Sequence, residues 1–597
     1  MTLTRLLPAA LSLMSVLATA VFAAPSGGPY GPIQQTYTIP STAGTVYYVA
    51  PHGDADATGN SLDAPTTIEA AISRVVTGDA IILRGGIYRT GNLQLNQGIT
   101  MQAFEDERPI LKGTYVVDAE QAEKQRNGLY RIAWEHLFPL KPQGWWTRGT
   151  FGATTPQWLF NNDMVFVDGK PLKTVGWEGE VEEGSFSVDY DNGNIYIAVD
   201  PAEHTVEITA FDNALTRTIG DVHGKSSDGK GPVLRGLTMT QYAYRAIEIE
   251  GYDPEEISPE EKHGNDVIGT TLEHCTITHC SRVAGYFRGD NMVFRHNLIS
   301  DTSTEGIFIL ASDDALLEKN IFRRNNVEGI QGYFPAAVKI FNQTRRVVVR
   351  DNLLTENPGS NGIWYDVGNV DGVFINNWIE DGYNGFFFEI SKGVTVAGNV
   401  FVNSDAWVLN SSGAKVFNNT FVNSSMRVTR TSRSADGDHF DWHPASGPDV
   451  DERVDHEVRN NLFVTDGAVE DGVVRVQQEA KLAGKLTDAQ VTFDHNVYVR
   501  LGDEPTELYT WAPVPDDEDA QAKFATLADL QAVVPAVDPH GQELNGYFGP
   551  LFHGLHLKRF ELSTDFPAAG AGGEIPARIA ELIGAEEGQI GAYPVER

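Results

Sequence analysis

Eight times between residues 297 and 498 an asparagine stands immediately before two mostly apolar residues, at Asn297, Asn320, Asn352, Asn377, Asn399, Asn419, Asn461 and Asn496. The tightest intervals are 20, 22, 23 and 25 residues. A short β-rich unit of that length cannot bury its own apolar face, so repetition at this period implies a solenoid in which each coil covers the next. No helical pattern lies between the repeats, which favours a parallel β-helix over a leucine-rich horseshoe. The asparagines are expected to form an internal ladder at one turn, each amide bonding the next coil, with a purely structural role.

The strands that precede the asparagines align as 246–250, 284–288, 306–310, 337–341, 362–366, 385–389 and 406–410. Alternation with period two sorts their side chains by face. The second and fourth positions are nearly all apolar, as in Ile363 and Tyr365 or Phe386 and Phe388, and are expected to face the core. In this alignment Trp407 and Leu409 belong to that inward set. The third and fifth positions then point outward on one sheet: Glu248, Glu250, Tyr286, Arg288, Phe308, Lys339, Phe341, Trp364, Asp366, Phe387, Glu389 and Asn410, with Leu310 and Val408 as aliphatic exceptions. Aromatic faces beside carboxylates are what a saccharide groove needs, because flat apolar surfaces stack on pyranose rings and polar groups fix hydroxyls.

Within that set, Asp366 and Glu389 close two nearly repeated segments, GIWYD and GFFFE, 23 residues apart. Stacked as successive coils they would be neighbours one strand spacing apart, roughly 5 Å. That is the carboxyl separation of a glycosidase that retains anomeric configuration. The expected substrate contacts are Lys339, Trp364, Phe387, Asn410, Glu250 and Arg288. Trp442 and His443 join them from the stretch 427–456, which interrupts the repeat with His439, Asp441, Trp442 and His443 and is expected to wall the groove.

The fold class expected is all-β: a right-handed parallel β-helix with an inserted small β-sandwich-like domain. Residues 1–23 read as a secretory signal, with Arg5, an apolar run from Leu6 to Ala20 and a small-residue cleavage context ending at Ala23. Residues 24–119 are assigned to an N-terminal cap and first coils; within them 46–89 resemble the cap of many right-handed β-helix proteins. The insertion covers 120–215, with alternating strands and an Asp191-Asn192-Gly193 hairpin signal. Its segment from Gly144 to Arg148, which carries Trp145 and Trp146, is expected to be packed. The groove-bearing solenoid occupies 216–500 and a C-terminal coil and cap 501–597.

Charge narrows the partners. Against 45 Lys and Arg the 597 residues carry 81 Asp and Glu, a formal charge of −36. A polyanion is repelled by such a surface at long range, so no nucleic-acid partner is expected. An acidic polysaccharide is disfavoured for the same reason unless calcium or a local basic groove compensates. No apolar stretch beyond the signal is long enough to span a bilayer, and the mature protein is expected to be secreted or periplasmic. The two cysteines, Cys275 and Cys280, suit neither a metal site nor a disulfide framework and are expected to be buried thiols.

On these residues the chain resembles glycoside hydrolase family 120, the retaining β-xylosidases, and more loosely the β-helix family 141. The likeness rests on WYD ending in Asp366, on FFEIS containing Glu389, on an inserted domain in a β-helix, and on the segment WHPAS at 442–446. The resemblance implies double displacement, with Asp366 as nucleophile and Glu389 as general acid and base, a xyloside substrate ahead of a fucoside, and no cofactor. A polysaccharide lyase or epimerase is the alternative, in which Lys339 is the base and Asp366, Glu389 and Glu250 hold calcium. A third reading is a non-catalytic carbohydrate-binding β-helix.

Overall fold

The computed structural model describes residues 28–142, 155–254, 263–330, 335–431, 454–467, 469–479, 491–502, 507–512, 522–554 and 558–595. The signal segment, the Gly144–Arg148 segment, and His439, Asp441, Trp442 and His443 lie outside the described residues.

Three sheets of 13 strands each run the length of the molecule, and successive coils contribute one strand to each. Pairing between coils is parallel throughout, except where Ala522–Phe524 closes one sheet antiparallel to Tyr509–Trp511. The first sheet begins at Val46–Val49, the second at Leu93–Leu95 and the third at Gly86–Arg89. The second carries the aligned strands and is called the groove sheet below. Since every coil is open on two faces, its inward residues must match those above and below. They do so in stacks such as Phe401, Phe421, Phe463 and Tyr498, with ring centroids 4.8, 4.8 and 5.2 Å apart.

The asparagine ladder is continuous from Asn297 to Asn496. At Asn377, the backbone N–H and the side-chain Nδ2 both donate to Asn399 Oδ1, at 2.9 and 3.0 Å, and Nδ2 also donates to the carbonyl of Val349 at 3.0 Å. Asn496 ends the series on Asp538, donating to Oδ2 at 3.0 Å. The residue before most of these asparagines sits in the left-handed region, for example His296 at φ 54° and Asn376 at φ 53°. A bend that sharp strips the backbone of ladder partners, and the buried amides replace them.

Both solenoid ends are plugged by short helices. Thr67 caps Ile68–Arg74, which buries Ile68, Ala71 and Ile72. Thr526 caps Leu527–Val533, which adds Leu527 and Leu530 to the same core. The C-terminal segment does more than cap: it returns along the flank, where Phe560 stacks on Trp378 at 5.0 Å and Ile579 packs with Val373, Ile375, Ala397 and Phe417. Between Thr114 and Thr209 the chain leaves the solenoid to form a four-stranded and a five-stranded sheet around a separate core that includes Ile132, Phe186, Ile195 and Ile208. This unit rests on the coil of Ser281, whose hydroxyl donates to the carbonyl of Asn161 at 3.0 Å, while Phe160 lies under the Arg282 guanidinium. Cys275 and Cys280 are fully buried free thiols, both pushed up to about 12 by burial. Among the described residues, no helix is long and apolar enough to cross a membrane.

Candidate active site

From Val283–Arg288 to Asp405–Leu409 the groove-sheet strands present three outward positions, which align as three columns parallel to the solenoid axis. The strand starts give Val283, Glu305, Ala336, Asn361, Asn384 and Asp405. The middle column runs Glu248, Tyr286, Phe308, Lys339, Trp364, Phe387, Trp407, Arg427 and Arg475. The third column holds Leu310, Phe341, Asp366, Glu389 and Leu409 in direct register.

Asp366 and Glu389 are thus facing partners on adjacent parallel strands, at the strand spacing of roughly 4.8 Å. Both are buried, Glu389 completely. Lys339 reaches across from the preceding coil and places its Nζ 3.0 Å from Asp366 Oδ2 and 3.6 Å from the Trp364 ring centroid. Both contacts are those of an ammonium group. From Trp364 the rings continue as a stacked platform, with centroids 4.9 Å to Phe387 and 4.6 Å from Phe387 to Trp407. The Arg427 guanidinium closes it 4.1 Å above the Trp407 ring. A pile of aromatic rings beside a carboxylate pair, its edges toward the groove and a cation over each end face, is therefore the principal feature of this face.

Five of the expected site residues are brought together: Lys339, Trp364 and Phe387 around Asp366, with Glu389 opposite it. Three are not. Glu250 lies four strand steps from Asp366, roughly 19 Å at about 4.8 Å per step, and its carboxylate is held by Thr218 and the N–H of Ile219 at 2.7 and 3.1 Å. It is out of reach of any ion shared with Asp366 and Glu389, which removes it from the calcium set. Arg288 lies three steps away and pairs with Glu248 and Asp253 at 3.5 and 3.4 Å. Asn410 is at a bend, φ 48°, with its side chain exchanging two hydrogen bonds with Thr431 at 2.8 and 2.9 Å.

The alignment from sequence puts Asn410 one residue out of register. Earlier strands place two residues between the first and second outward positions, Gly362 and Ile363 or Gly385 and Phe386, whereas the 405–409 strand has Ala406 alone. The register shifts there, so that Ala406 faces Phe386. Trp407 and Leu409 consequently join the outward cluster with Trp364 and Phe387, and Val408 turns into the core. The same alignment ends too early to include Arg427 and Arg475. The interruption expected from residue 427 in fact begins only beyond Arg430, since Met426–Arg430 is the next strand of the sheet and pairs with Val474–Gln478 across the inserted residues. Glu305 escapes it because the alignment begins one residue later, at Gly306.

Glu305 is fully buried at the strand start. Burial pushes its carboxyl up to about 8, against the partial opposition of the Arg282 and Lys339 charges. At neutral pH it is a neutral acid at the edge of the groove. Among the described residues, the metal-type ligand cluster is Asp494, His495 and His540, on the first sheet side at the C-terminal end and away from the carboxylate pair. A cleft of about 560 Å³ on the first sheet, lined by Asp314, Arg346, Asp371, Lys415 and Arg578, contains no aromatic ring.

Comparison with known proteins agrees with this architecture. Residues 262–425 match the family model described as the right handed beta helix region. No curated protein matches the sequence. Among solved structures, the complex of XylC with xylose is similar over 76% of this chain and 83% of that one, at 15% identity and a TM-score of 0.54. The pectate lyase Pel9A aligns over 93% of this chain and 97% of its own at 11% identity and a TM-score of 0.36. The fold is a right-handed parallel β-helix.

Proposed function

We propose that this protein is an exported carbohydrate-active enzyme, a retaining glycoside hydrolase whose catalytic pair is Asp366 and Glu389. The observation that carries the reading is their direct register on adjacent strands, with the Lys339 ammonium 3.0 Å from Asp366 Oδ2. Two carboxyl groups at that spacing disfavour simultaneous ionisation, and an ammonium beside one of them decides which keeps the charge. Asp366 is accordingly the nucleophile. Its carboxylate attacks the anomeric carbon as the bond to the leaving oxygen breaks, and Glu389 supplies that oxygen's proton. Glu389 then takes a proton from water, whose oxygen displaces Asp366 from the anomeric carbon. Trp364, Phe387 and Trp407, stacked face to face along the axis, turn their edges to the groove and give it an apolar wall beside the pair.

The xyloside preference rests on the family 120 resemblance, and the similarity to XylC, whose solved complex holds xylose, agrees with it. Export rests on the sequence of residues 1–23. The lyase alternative needs Lys339 as a free base, and its engagement with Asp366 and Trp364 speaks against that. Asp366→Gly should abolish turnover of aryl β-xylosides, and azide should restore it by taking the place of the missing carboxylate. Glu389→Ala should lose far more activity on poor leaving groups than on activated ones. Full activity of Asp366→Gly would overturn the assignment, and an unsaturated, ultraviolet-absorbing product would establish the lyase chemistry instead.

A further inference from the structure

The middle groove column changes character beyond Trp407. The next two outward residues are Arg427 and Arg475, facing each other in direct register on adjacent strands. Their side chains are only 13% and 16% exposed. Two like charges at one strand spacing repel, so a facing pair of guanidinium groups stands out in a molecule that carries −36 as a whole.

Neither arginine is fully neutralised by its neighbours. Arg427 has Asn384 Oδ1 at 3.4 Å, the Tyr383 hydroxyl, and the nearer Asp405 oxygen at 3.9 Å, while the other Asp405 oxygen accepts from the N–H of Ser425 at 2.8 Å. Arg475 shares Asp471 with Lys523, at 3.2 and 2.8 Å, and Lys523 also pairs with Glu507 at 3.1 Å. The Nε of each guanidinium has no acceptor among the described residues. Burial, and after it the Arg475 charge, pulls the Arg427 guanidinium below its ordinary value, as expected of a cation short of counter-charge.

The position is equally informative. Arg427 packs on the free face of the Trp407 ring, so the aromatic platform leads straight into the arginine pair. From the Glu389 coil to the Arg427 coil is two strand steps, roughly 10 Å, a distance bridged by one or two sugar rings. A guanidinium offers a planar fork of donors that matches an oxyanion group bidentately, and a second one in register doubles the fork.

We propose that Arg427 and Arg475 form a subsite for the anionic group of an acidic sugar, a carboxylate or a sulfate ester, in a saccharide that runs along the edges of Trp407, Phe387 and Trp364. This rests on the reading of the groove as saccharide-binding. It also supplies the local basic groove that an acidic substrate requires against a charge of −36.

The test is equilibrium binding of matched oligosaccharides to the full chain carrying Glu389→Gln, so that ligands stay intact. The probes are neutral xylo-oligosaccharides, glucuronic-acid-branched xylo-oligosaccharides, the methyl esters of the latter, and sulfated oligosaccharides. An acidic probe should bind about tenfold tighter, or more, than its neutral counterpart, and the carboxylate and sulfate arms identify which group is read. Arg475→Gln should remove that preference and leave the neutral probe's affinity unchanged. The acid-against-ester comparison needs no arginine variant, so misfolding of that variant does not spare the proposal. Equal binding of acid and ester, or no binding of any acidic probe, overturns it. Equal binding of acid and ester with both arginines intact, alongside hydrolysis of neutral aryl glycosides by the wild-type protein, rejects this subsite alone; acid preference without any hydrolysis by the wild-type protein rejects the hydrolase reading alone.

Discussion

Replacing Glu305 by glutamine should stabilise the protein at alkaline pH and leave it nearly unchanged at acid pH. Its carboxyl is fully buried and titrates near 8 in the folded protein, against an ordinary value of 4.5. Below about pH 4.5 both folded and unfolded chains hold the proton, and the group costs nothing. As pH rises from 4.5 towards 8, the unfolded chain releases the proton while the folded one keeps it, so wild-type stability falls by about 1.4 kcal/mol per pH unit. Over the separation of the two values the loss reaches roughly 5 kcal/mol and levels off above pH 8. Glutamine has the same shape and no proton to lose, so the variant escapes this penalty. Urea unfolding midpoints of both proteins at about pH 5, 7 and 9 measure it, and every other titrating group cancels in the difference. The advantage of Glu305→Gln should be smallest near pH 5, larger near 7 and largest near 9. A difference that is flat across this range, or largest at acid pH, refutes the reasoning.

Lys339→Met should lower kcat/KM on activated aryl glycosides by about 100-fold or more, because it removes a preorganised charge from 3.0 Å of the nucleophile; a loss of less than threefold would separate Lys339 from the chemistry. Asn377→Ala should destabilise the solenoid by roughly 3 kcal/mol or more, measured by thermal unfolding, since Asn352 loses Oδ1 as acceptor for two donors and the Val349 carbonyl loses its donor. A cost under about 1 kcal/mol would show that the ladder adapts around a missing amide.

Several features are legible in the chain because they are repeated locally. Asn352, Asn377 and Asn399 each need only a spacing and two apolar followers to declare a ladder, and the alternation in GIWYD and GFFFE is enough to set Asp366 and Glu389 on one face. Lys339, Trp364 and Phe387 follow from the same alternation. For Glu250 and Arg288 the alternation gives the correct sheet but the wrong neighbourhood, because face is fixed by period two whereas distance along the axis is fixed by the number of coils between.

By itself, the sequence determined the β-helix and the outward facing of the carboxylate pair, since both follow from a short period that each coil repeats. Tertiary structure alone decided which residues become neighbours across coils. The single missing residue between Asp405 and Trp407 exchanges Trp407 for Val408 in the groove, an effect visible only when the strand is paired with Asn384 and Phe386. Arg427 and Arg475 are 48 positions apart and meet because pairing between coils ignores what is inserted between them. Glu305 acquires its raised carboxyl from burial, which no local pattern encodes. Periodicity is a property of the backbone of one coil; register, charge pairing and burial are properties of the stack.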